Sequence, residues 1–264
     1  MIRAFIRTAV VIVVSVTMFS VYLLLRFLVR SRAGRINLAE SYSRLWFRIV
    51  NVIAGITVRT SGPRPPRGTL LAPNHIGYVD ILALGSAIPV TFVTRTEILK
   101  WPVIGFILKS FEEPAVDRVQ SRDLKSAADA ITTGLREGKT LAVFLEGTST
   151  GGDRVLPFRT TVVQSALDAR AAVVPVAIVW TSSDLRIDLA EKVAYWKKAH
   201  DFGPHAWRFF AVSGTLTATI TFMEAIPPNS GDRKQIAARA RDHVMAATGL
   251  PGGETLPRAP ESFA

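Results

Sequence analysis

An uncharged, largely apolar stretch lies near the amino terminus of this chain, from Thr8 to Leu25. It consists mostly of Val, Ile, Leu, Met and Phe, and as a helix its roughly 18 residues would span about 27 Å, close to the thickness of a bilayer core. It could be a transmembrane helix, one arm of a helical hairpin in one leaflet, a helix lying on the membrane surface, or a signal peptide. The length of the apolar region and the lack of a clear small-x-small cleavage site favour a membrane-embedded helix over a signal peptide. The orientation stays open, because arginines flank the stretch on both sides: Arg3, Arg7, Arg26, Arg30, Arg32 and Arg35.

A second segment, from Ser41 to Ile56, is amphipathic and mixes arginines with aromatic residues. Arg44 and Arg48 are four residues apart and share one helix face, as in many membrane-interface helices. The segment is therefore interpreted as a possible second arm of a membrane hairpin. The alternative is a helix packed on a globular domain.

The composition of the chain favours anionic partners. Among 264 residues, 32 are Lys or Arg and 21 are Asp or Glu, which gives a formal net charge of +11. Charge alone does not separate lipid headgroups from nucleic acid, but the aromatic residues follow apolar patterns rather than interleaving with basic residues over one face, which argues against nucleic acid. The absence of cysteine excludes disulfides, thiolate metal sites and a Cys nucleophile.

Beyond a Pro/Gly-rich linker at residues 61–68, apolar strand patterns alternate with helical ones. This alternation predicts an α/β fold, with a mostly parallel sheet flanked by helices and with membrane-associated helices at the amino terminus. We expect membrane-anchoring helices at 1–60, the α/β domain at 61–250 and a flexible tail at 251–264. The predicted strands are 69–72, 90–93, 114–116, 140–145, 173–180 and 216–223, and the predicted helices are 78–87, 104–110, 122–137, 161–169 and 232–248.

His75 and Asp80 form the first candidate catalytic pair. His75 follows a predicted strand and Pro73-Asn74, so it lies at the carboxyl end of a strand, where α/β sheets place ligands. Asp80 lies in the first turn of the next helix and can fold back onto the imidazole. Its carboxylate would then hold the Nδ1–H tautomer and leave Nε2 as a general base. The alternative is a histidine at a helix start, with Asp80 serving only the helix dipole.

A second candidate lies about seventy residues further on, where Glu146-Gly147-Thr148 ends a buried strand and enters a Gly-rich turn. The backbone N–H groups of such a turn can bind an anion or a developing oxyanion. Arg154 and Arg159 follow, and both can form bidentate pairs with phosphate. An ordinary β-turn with solvated arginines is the alternative.

Several common kinds of site lack their sequence signatures. There is no Gly-x-Ser-x-Gly, no His-Glu-x-x-His, no Walker motif and no Gly-x-Gly-x-x-Gly. The four histidines are scattered, which argues against a His-built metal site. His205 is interpreted as structural or interfacial.

Taken together, these stretches resemble the phospholipid and glycerol acyltransferase family, whose best-known members are the 1-acyl-glycerol-3-phosphate (lysophosphatidic acid) acyltransferases. The resemblance is carried by ordered blocks within residues 69–180: Asn74 to Asp80 (His-x4-Asp), Gly105 to Arg118, Phe144 to Thr148 (Glu-Gly-Thr), and Val173 to Ala177 around Pro175.

The resemblance implies direct acyl transfer from a thioester to a hydroxyl. His75 would remove the proton from the hydroxyl of a lyso-lipid, with Asp80 orienting it, and no acyl-enzyme would form. Acyl-CoA or acyl carrier protein would be the co-substrate, with no metal and no other cofactor, and Pro175 would shape the pocket. The acceptor-binding residues would be Asn74, Arg118, Glu146, Gly147 and Thr148, with Arg154 and Arg159 as additional cations. The expected location is the bacterial inner membrane, with the site facing the cytoplasm.

One departure bears on the substrate. Many lysophosphatidate enzymes carry Glu-Gly-Thr-Arg, whereas the fourth position here is Ser149. Either Arg154 or Arg159 replaces the missing arginine and the acceptor is lysophosphatidate, which we expect, or the acceptor is another lyso-lipid such as lyso-ornithine lipid. A basic lipid-binding protein without catalysis is the alternative from another class, and the intact pair His75 and Asp80 argues against it.

Overall fold

A computed structural model of the chain describes residues 1–95, 115–116, 121–193 and 202–253. Its centre is a six-stranded sheet in the order β1-β8-β7-β2-β6-β3, in which neighbouring strands are parallel except for β7 and β8. The strands are β1 (Ile56–Ser61), β2 (Leu70–Pro73), β3 (Thr91–Phe92), β6 (Leu141–Ala142), β7 (Val173–Ser182) and β8 (Leu216–Phe222), and a separate parallel pair is formed by β4 (Thr94–Arg95) and β5 (Ala115–Val116). The predicted α/β class with a mostly parallel, helix-flanked sheet is confirmed.

Helices cover the sheet on both faces, and each face has its own apolar cluster. One cluster includes Leu84, Phe92 and Ile220, and the other includes Leu70, Val163 and Ile236. The described helices are α1 (Ile2–Leu28), α2 (Arg32–Ala54), α3 (Val79–Ala87), α4 (Ser121–Arg136), α5 (Thr160–Asp168), α6 (Leu189–Lys192), α7 (Phe202–Ala211) and α8 (Arg233–Thr248).

Four described elements were not predicted from the sequence, among them the short β4 and α6. The strand β1 was not predicted, and it pairs in parallel with β8, so the sheet begins at Ile56, before the predicted boundary at residue 61. The helix α7 was not predicted either. The predicted helix at 104–110, Arg118 and residues 254–264 of the expected tail lie outside the described residues.

The first two helices form an antiparallel hairpin. Tyr22 packs against Tyr42 with ring centroids 5.6 Å apart, and the Trp46 indole N–H donates to the Ser15 hydroxyl at 3.0 Å. Near the other end of α1, the Arg7 guanidinium donates to the backbone carbonyl of Val212 at 2.8 Å. Because α1 contacts the rest of the protein near both ends, it lies along the domain rather than projecting from it.

The outer face of α1 is strongly apolar. Within the described part of the chain, α1 is the one helix that is long and apolar enough to cross a bilayer, judged by length and composition. Phe5, Val13, Val16 and Leu24 are among its many exposed apolar side chains. This face supplies the apolar surface that the sequence predicted for a membrane-associated helix.

Two arginines of α2 contact the end of another helix. Arg44 donates to the carbonyls of Ser86 and Ala87 at 3.2 and 2.8 Å, and Arg48 donates to Ser86 at 3.3 Å. These carbonyls end α3, where a helix has unpaired acceptors and partial negative charge. Arg44 and Arg48 therefore bind the end of α3, a role that the sequence did not predict, and Arg48 stays exposed.

Candidate active site

The strand order brings the two sequence candidates together. β2 and β6 are neighbours in the sheet and run parallel, so their carboxyl ends lie at the same edge. The chain leaving β2 carries His75, and the chain leaving β6 carries Glu146. Residues about seventy positions apart in sequence thereby meet in one loop cluster, at the sheet edge where α/β folds place ligands.

Asp80 holds the His75 imidazole in the way the spacing predicted. The Nδ1 atom of His75 lies 3.0 Å from Oδ2 of Asp80. The same oxygen accepts the backbone N–H groups of Ile76 at 2.7 Å and Gly77 at 3.0 Å, and Oδ1 accepts the indole N–H of Trp180 at 2.9 Å. The N–H groups of Ile76, Gly77 and Trp180 can only donate, so the carboxylate form of Asp80 fits the site, and Oδ2 favours the tautomer in which Nδ1 of His75 carries the proton. Nε2 is then the basic nitrogen, and it makes no hydrogen bond to any described residue.

Phe144 supports the imidazole from one side. Its ring stacks on the His75 ring with centroids 3.8 Å apart and an angle of 23° between the planes. Phe144 is two residues before Glu146, and the sequence analysis assigned it no role. The position of an aromatic residue just ahead of the Glu-Gly-Thr turn was the available signal, since the end of β6 is next to the loop that carries His75.

Glu146 holds the backbone of the His75 loop. Its Oε1 accepts the backbone N–H of His75 at 2.7 Å, and its Oε2 accepts the N–H of Leu156 at 2.8 Å. The carbonyl of His75 in turn accepts the backbone N–H of Thr150 at 2.8 Å. The Glu146 side chain is fully buried and both of its oxygens are engaged. Glu146 therefore lies under the loop that carries His75. It was expected to bind an acceptor headgroup, but its carboxyl group instead holds the backbone of this loop in position.

Burial dominates the charge state of Glu146. Desolvation raises the pKa of Glu146 to about 8, with a smaller upward contribution from Asp80. The N–H donors of Leu156 and His75 and the charge of Arg241 act in the opposite direction. Arg241, on α8, also donates to the carbonyls of Val155 and Leu156 at 3.0 and 3.2 Å, so it fixes the segment that supplies one of those donors.

This shift predicts a pH dependence of stability. The folded pKa of Glu146 is raised above its ordinary value of 4.5, so the protonated form favours the folded state. The stabilisation is fully present below about pH 4.5 and is lost as the pH rises through about 8. We expect the Tm of the wild type to fall over this window relative to the Tm of Glu146→Gln, which does not titrate. Thermal unfolding in detergent at several pH values measures the difference, and parallel curves for the two proteins would refute it.

Gly147 allows Arg159 to approach the turn. Gly147 has φ of +75°, in the left-handed region that favours glycine, and a Cβ built there would collide with the Arg159 guanidinium. The backbone N–H of Arg159 donates to the Leu145 carbonyl at 2.8 Å, which places Arg159 beside the Glu146–Thr148 turn. The Arg159 side chain is exposed and makes no hydrogen bond within the described part of the chain, so it offers a free cation at this edge.

The other predicted site residues are placed as follows. Thr148 is half-buried in the same turn. Arg154 is exposed and pairs with the neighbouring Asp153 at 2.7 Å. Arg118 lies outside the described residues, and its predicted role is therefore not addressed by the structure.

Asn74 and Pro175 belong to the sheet framework. The Asn74 amide donates to the Ile178 carbonyl at 3.0 Å and accepts the Ile178 N–H at 2.7 Å, and the residue is buried. It therefore joins the loop after β2 to β7 instead of facing a substrate, which corrects its expected role. Pro175 is buried in β7, where it pairs with Ala72 of β2, and it precedes Ile178 on the same strand. Its expected role in shaping the pocket stays a prediction.

His205 lies close to the catalytic loop. It is fully buried on α7, and its Nδ1 is 3.1 Å from the hydroxyl of Tyr78, which lies between His75 and Asp80 in sequence. The interpretation of His205 as structural or interfacial stays a prediction. Within the described residues, no group of three His, Asp or Glu side chains is arranged to hold a metal ion.

Residues 55–179 match the family model described as "Acyltransferase". The chain is 33% identical over 124 residues to a 1-acyl-sn-glycerol-3-phosphate acyltransferase of Neisseria gonorrhoeae, covering 47% of this chain and 49% of that protein. It is 29% identical over 210 residues to a lyso-ornithine lipid O-acyltransferase of Pseudomonas aeruginosa, covering 80% of this chain and 79% of that protein.

The chain therefore contains a segment, residues 55–179, that matches the acyltransferase family. The family model includes both His75 and Glu146, which are the residues that organise the site. A solved structure shares the fold. The crystal structure of the 1-acyl-sn-glycerophosphate acyltransferase PlsC from Thermotoga maritima superposes with a TM-score of 0.68 at 16% identity, over 94% of this chain and 95% of the other. The chain spans about half the length of the Neisseria protein, the first relative named above.

Proposed function

We propose that this protein transfers a fatty acyl group from an acyl thioester to the free hydroxyl of a membrane lyso-lipid. The observation that carries the proposal is the pair His75–Asp80, in which Nδ1 is held at 3.0 Å by a buried carboxylate and Nε2 is left without a described partner. A protein that only binds lipid has no need of an imidazole prepared in this way.

The reaction proceeds by direct attack. The Nε2 atom of His75 takes the proton of the acceptor hydroxyl as its oxygen bonds to the carbonyl carbon of the thioester. The carbon–sulfur bond then breaks, and the leaving thiolate receives the proton from the imidazolium. The products are an ester and a free thiol, so His75 is regenerated and no group stays on the protein. Asp80 holds the imidazolium while it exists. Acyl-CoA and acyl carrier protein are the thioester donors that this chemistry fits.

For the acceptor we propose lyso-ornithine lipid. The position where many lysophosphatidate enzymes carry an arginine is Ser149, whose exposure is 7%, so this position supplies no cation to a headgroup. The match to the Pseudomonas lyso-ornithine lipid O-acyltransferase extends over about four fifths of both chains, which supports the same acceptor class. An ornithine headgroup carries a carboxylate that Arg159 can bind.

Lysophosphatidate, the acceptor expected from the sequence, remains the second candidate because of Arg159. This exposed guanidinium lies beside Gly147 and directly precedes α5. The first N–H groups of α5 are not capped by the Arg159 side chain, and a helix start next to an arginine suits a phosphate monoester. The same geometry accepts a carboxylate.

The protein is proposed to act at a membrane surface, through the exposed apolar face of α1. The contact of Arg7 with Val212 of the domain, together with the packing of α1 on α2, favours a hairpin lying in one leaflet over a helix that crosses the bilayer. The proposed location is the bacterial inner membrane with the site on the cytoplasmic side, where thioester donors are present.

A side-by-side assay tests the acceptor. Purified protein in mixed micelles receives a radiolabelled acyl thioester with either lyso-ornithine lipid or lysophosphatidate. We expect a higher kcat/KM for lyso-ornithine lipid. Preference for lysophosphatidate would overturn this choice in favour of the second candidate, and absence of transfer to both would refute the proposed acceptor class.

Arg159→Ala is expected to raise the KM for an anionic acceptor and to leave kcat nearly unchanged, because Arg159 binds the headgroup and not the reacting atoms. A charge-assisted hydrogen bond at a partly solvated site is worth about 1.5 kcal/mol, which corresponds to roughly a tenfold rise in KM. Arg233→Ala, which removes an exposed arginine of α8, is the charge-matched control. An unchanged KM in Arg159→Ala would remove Arg159 from the site.

A further inference from the structure

The strand β7 continues past the end of its neighbour and fastens the catalytic loop. In the register of β2 and β7, the last pair is Pro73 with Val176, but β7 runs on to Ser182. The edge of β7 beyond this pair is where the loop after β2 docks. Asn74 exchanges two hydrogen bonds with the backbone of Ile178, and two residues further along β7 the side chain of Trp180 reaches Asp80.

The contact between Trp180 and Asp80 is buried and specific in its chemistry. The indole Nε1 lies 2.9 Å from Oδ1, and Trp180 and Asp80 are 6% and 0% exposed. An indole N–H can only donate, so it requires Oδ1 to be an acceptor. The other three donors to the carboxylate all use Oδ2, and one of them is the imidazole of His75. Trp180 therefore fixes the second oxygen and the rotation of the carboxylate plane.

We infer that Trp180 is a positioning residue for the reaction, which orients the Asp80 carboxylate and, through it, the His75 imidazole. The inference rests on the proposed function, since it assigns Trp180 a part in that reaction. Neither the sequence blocks nor the family match points to this residue, because the match ends at residue 179. Trp180 is buried behind Asp80, so it acts without touching the substrate.

Trp180→Phe isolates the role of the indole N–H, because phenylalanine retains a buried aromatic ring and has no donor. A hydrogen bond to a charged group contributes about 1.5–3 kcal/mol, so we expect kcat to fall roughly tenfold to a hundredfold. The KM values for donor and acceptor should change little. With one donor fewer, Asp80 attracts the protonated imidazole more strongly. The acid limb of the profile of kcat/KM against pH is therefore expected to move to higher pH.

Trp46→Phe is the matched control. It also removes an indole hydrogen bond, the one to Ser15 between α1 and α2, at a distance of 3.0 Å, and it leaves Asp80 untouched. In mixed micelles its kcat and its acid limb should equal those of the wild type. A purely structural role for Trp180 would lower the Tm of Trp180→Phe without moving the acid limb.

A double-mutant cycle tests whether Trp180 acts through Asp80. In the Asp80→Asn background, Trp180→Phe should cause no further loss of kcat, since the carboxylate that Trp180 orients is gone. If Trp180→Phe does not fold, Trp180→Gln and Trp180→Met are compared, because they are similar in length and only Gln keeps an N–H donor. Gln is then expected to retain the higher kcat.

The outcomes separate this inference from the proposed function. If the wild type transfers no acyl group, the proposed function and this inference both fall. If the wild type is active and His75→Ala is not, but Trp180→Phe keeps the wild-type acid limb, only the role of Trp180 is overturned. Equal losses from Trp180→Phe in the wild-type and Asp80→Asn backgrounds would also overturn it.

Discussion

His75→Ala is expected to abolish measurable acyl transfer while leaving the protein folded. A positioned general base contributes roughly a hundredfold to ten-thousandfold to rate. The loop should keep its conformation in the variant because the contacts that hold it involve the backbone of residue 75. Glu146 accepts the N–H of this residue at 2.7 Å, and the N–H of Thr150 donates to the carbonyl of this residue at 2.8 Å. Steady-state kinetics and thermal unfolding measure the two halves of this prediction.

His243→Ala is the control for His75→Ala, since His243 is an exposed histidine on α8. It should have wild-type kinetics. Substantial activity in His75→Ala, at unchanged Tm, would contradict the assignment of the base and would favour a different proton acceptor.

Asp80→Asn is expected to have the second largest effect, because the amide cannot match the donors around it. Oδ2 receives three donors, and Oδ1 receives the indole N–H of Trp180. If the asparagine oxygen replaces Oδ2, its NH₂ faces the Trp180 N–H; if it is flipped, its NH₂ faces His75 Nδ1 and two backbone N–H groups. The first arrangement leaves a buried clash of donors, and the second favours the wrong imidazole tautomer.

From the loss observed when an orienting carboxylate is replaced in comparable catalytic triads, kcat of Asp80→Asn should fall about a thousandfold to ten-thousandfold. Asp242→Asn, at an exposed position of α8, is the control for the chemical change. Retention of more than about a tenth of the wild-type kcat in Asp80→Asn would mean that the carboxylate does not control the tautomer.

The sequence located the catalytic pair because the pair depends on local geometry. A step of five residues from the end of a strand into a helix brings Asp80, in the first turn of that helix, back to His75. This proximity follows from the local chain geometry. Repeated apolar strand patterns likewise predicted the α/β class. Strand order is a long-range property, and the contact of Glu146 with the His75 loop became visible only when the structure placed β6 beside β2.

The incorrect predictions concern polar side chains that could bind either a substrate or the protein's own backbone. Asn74 and Glu146 were expected at the acceptor, but both are buried and bind backbone groups. The contacts of Arg44 and Arg48 with carbonyls at the end of α3 were not predicted. Sequence periodicity identifies a polar face, but the element that covers this face is fixed only by tertiary packing.

Trp180 and Phe144 were missed for a related reason. Each is an aromatic residue in or next to an apolar strand, and this pattern most often belongs to a core. Their contacts with Asp80 and His75 depend on β7 and β6 lying on either side of β2. No local pattern in the sequence contains that neighbour relation.

The most direct test of the account is acyl transfer by the wild type and His75→Ala in parallel. Each purified protein receives an acyl thioester and a lyso-lipid acceptor in mixed micelles, and free thiol and acylated lipid are both quantified. The account predicts equal amounts of thiol and acylated lipid with the wild type, and neither above background with His75→Ala. Thiol release without acylated lipid, or equal transfer by the two proteins, would contradict direct acyl transfer with His75 as the base.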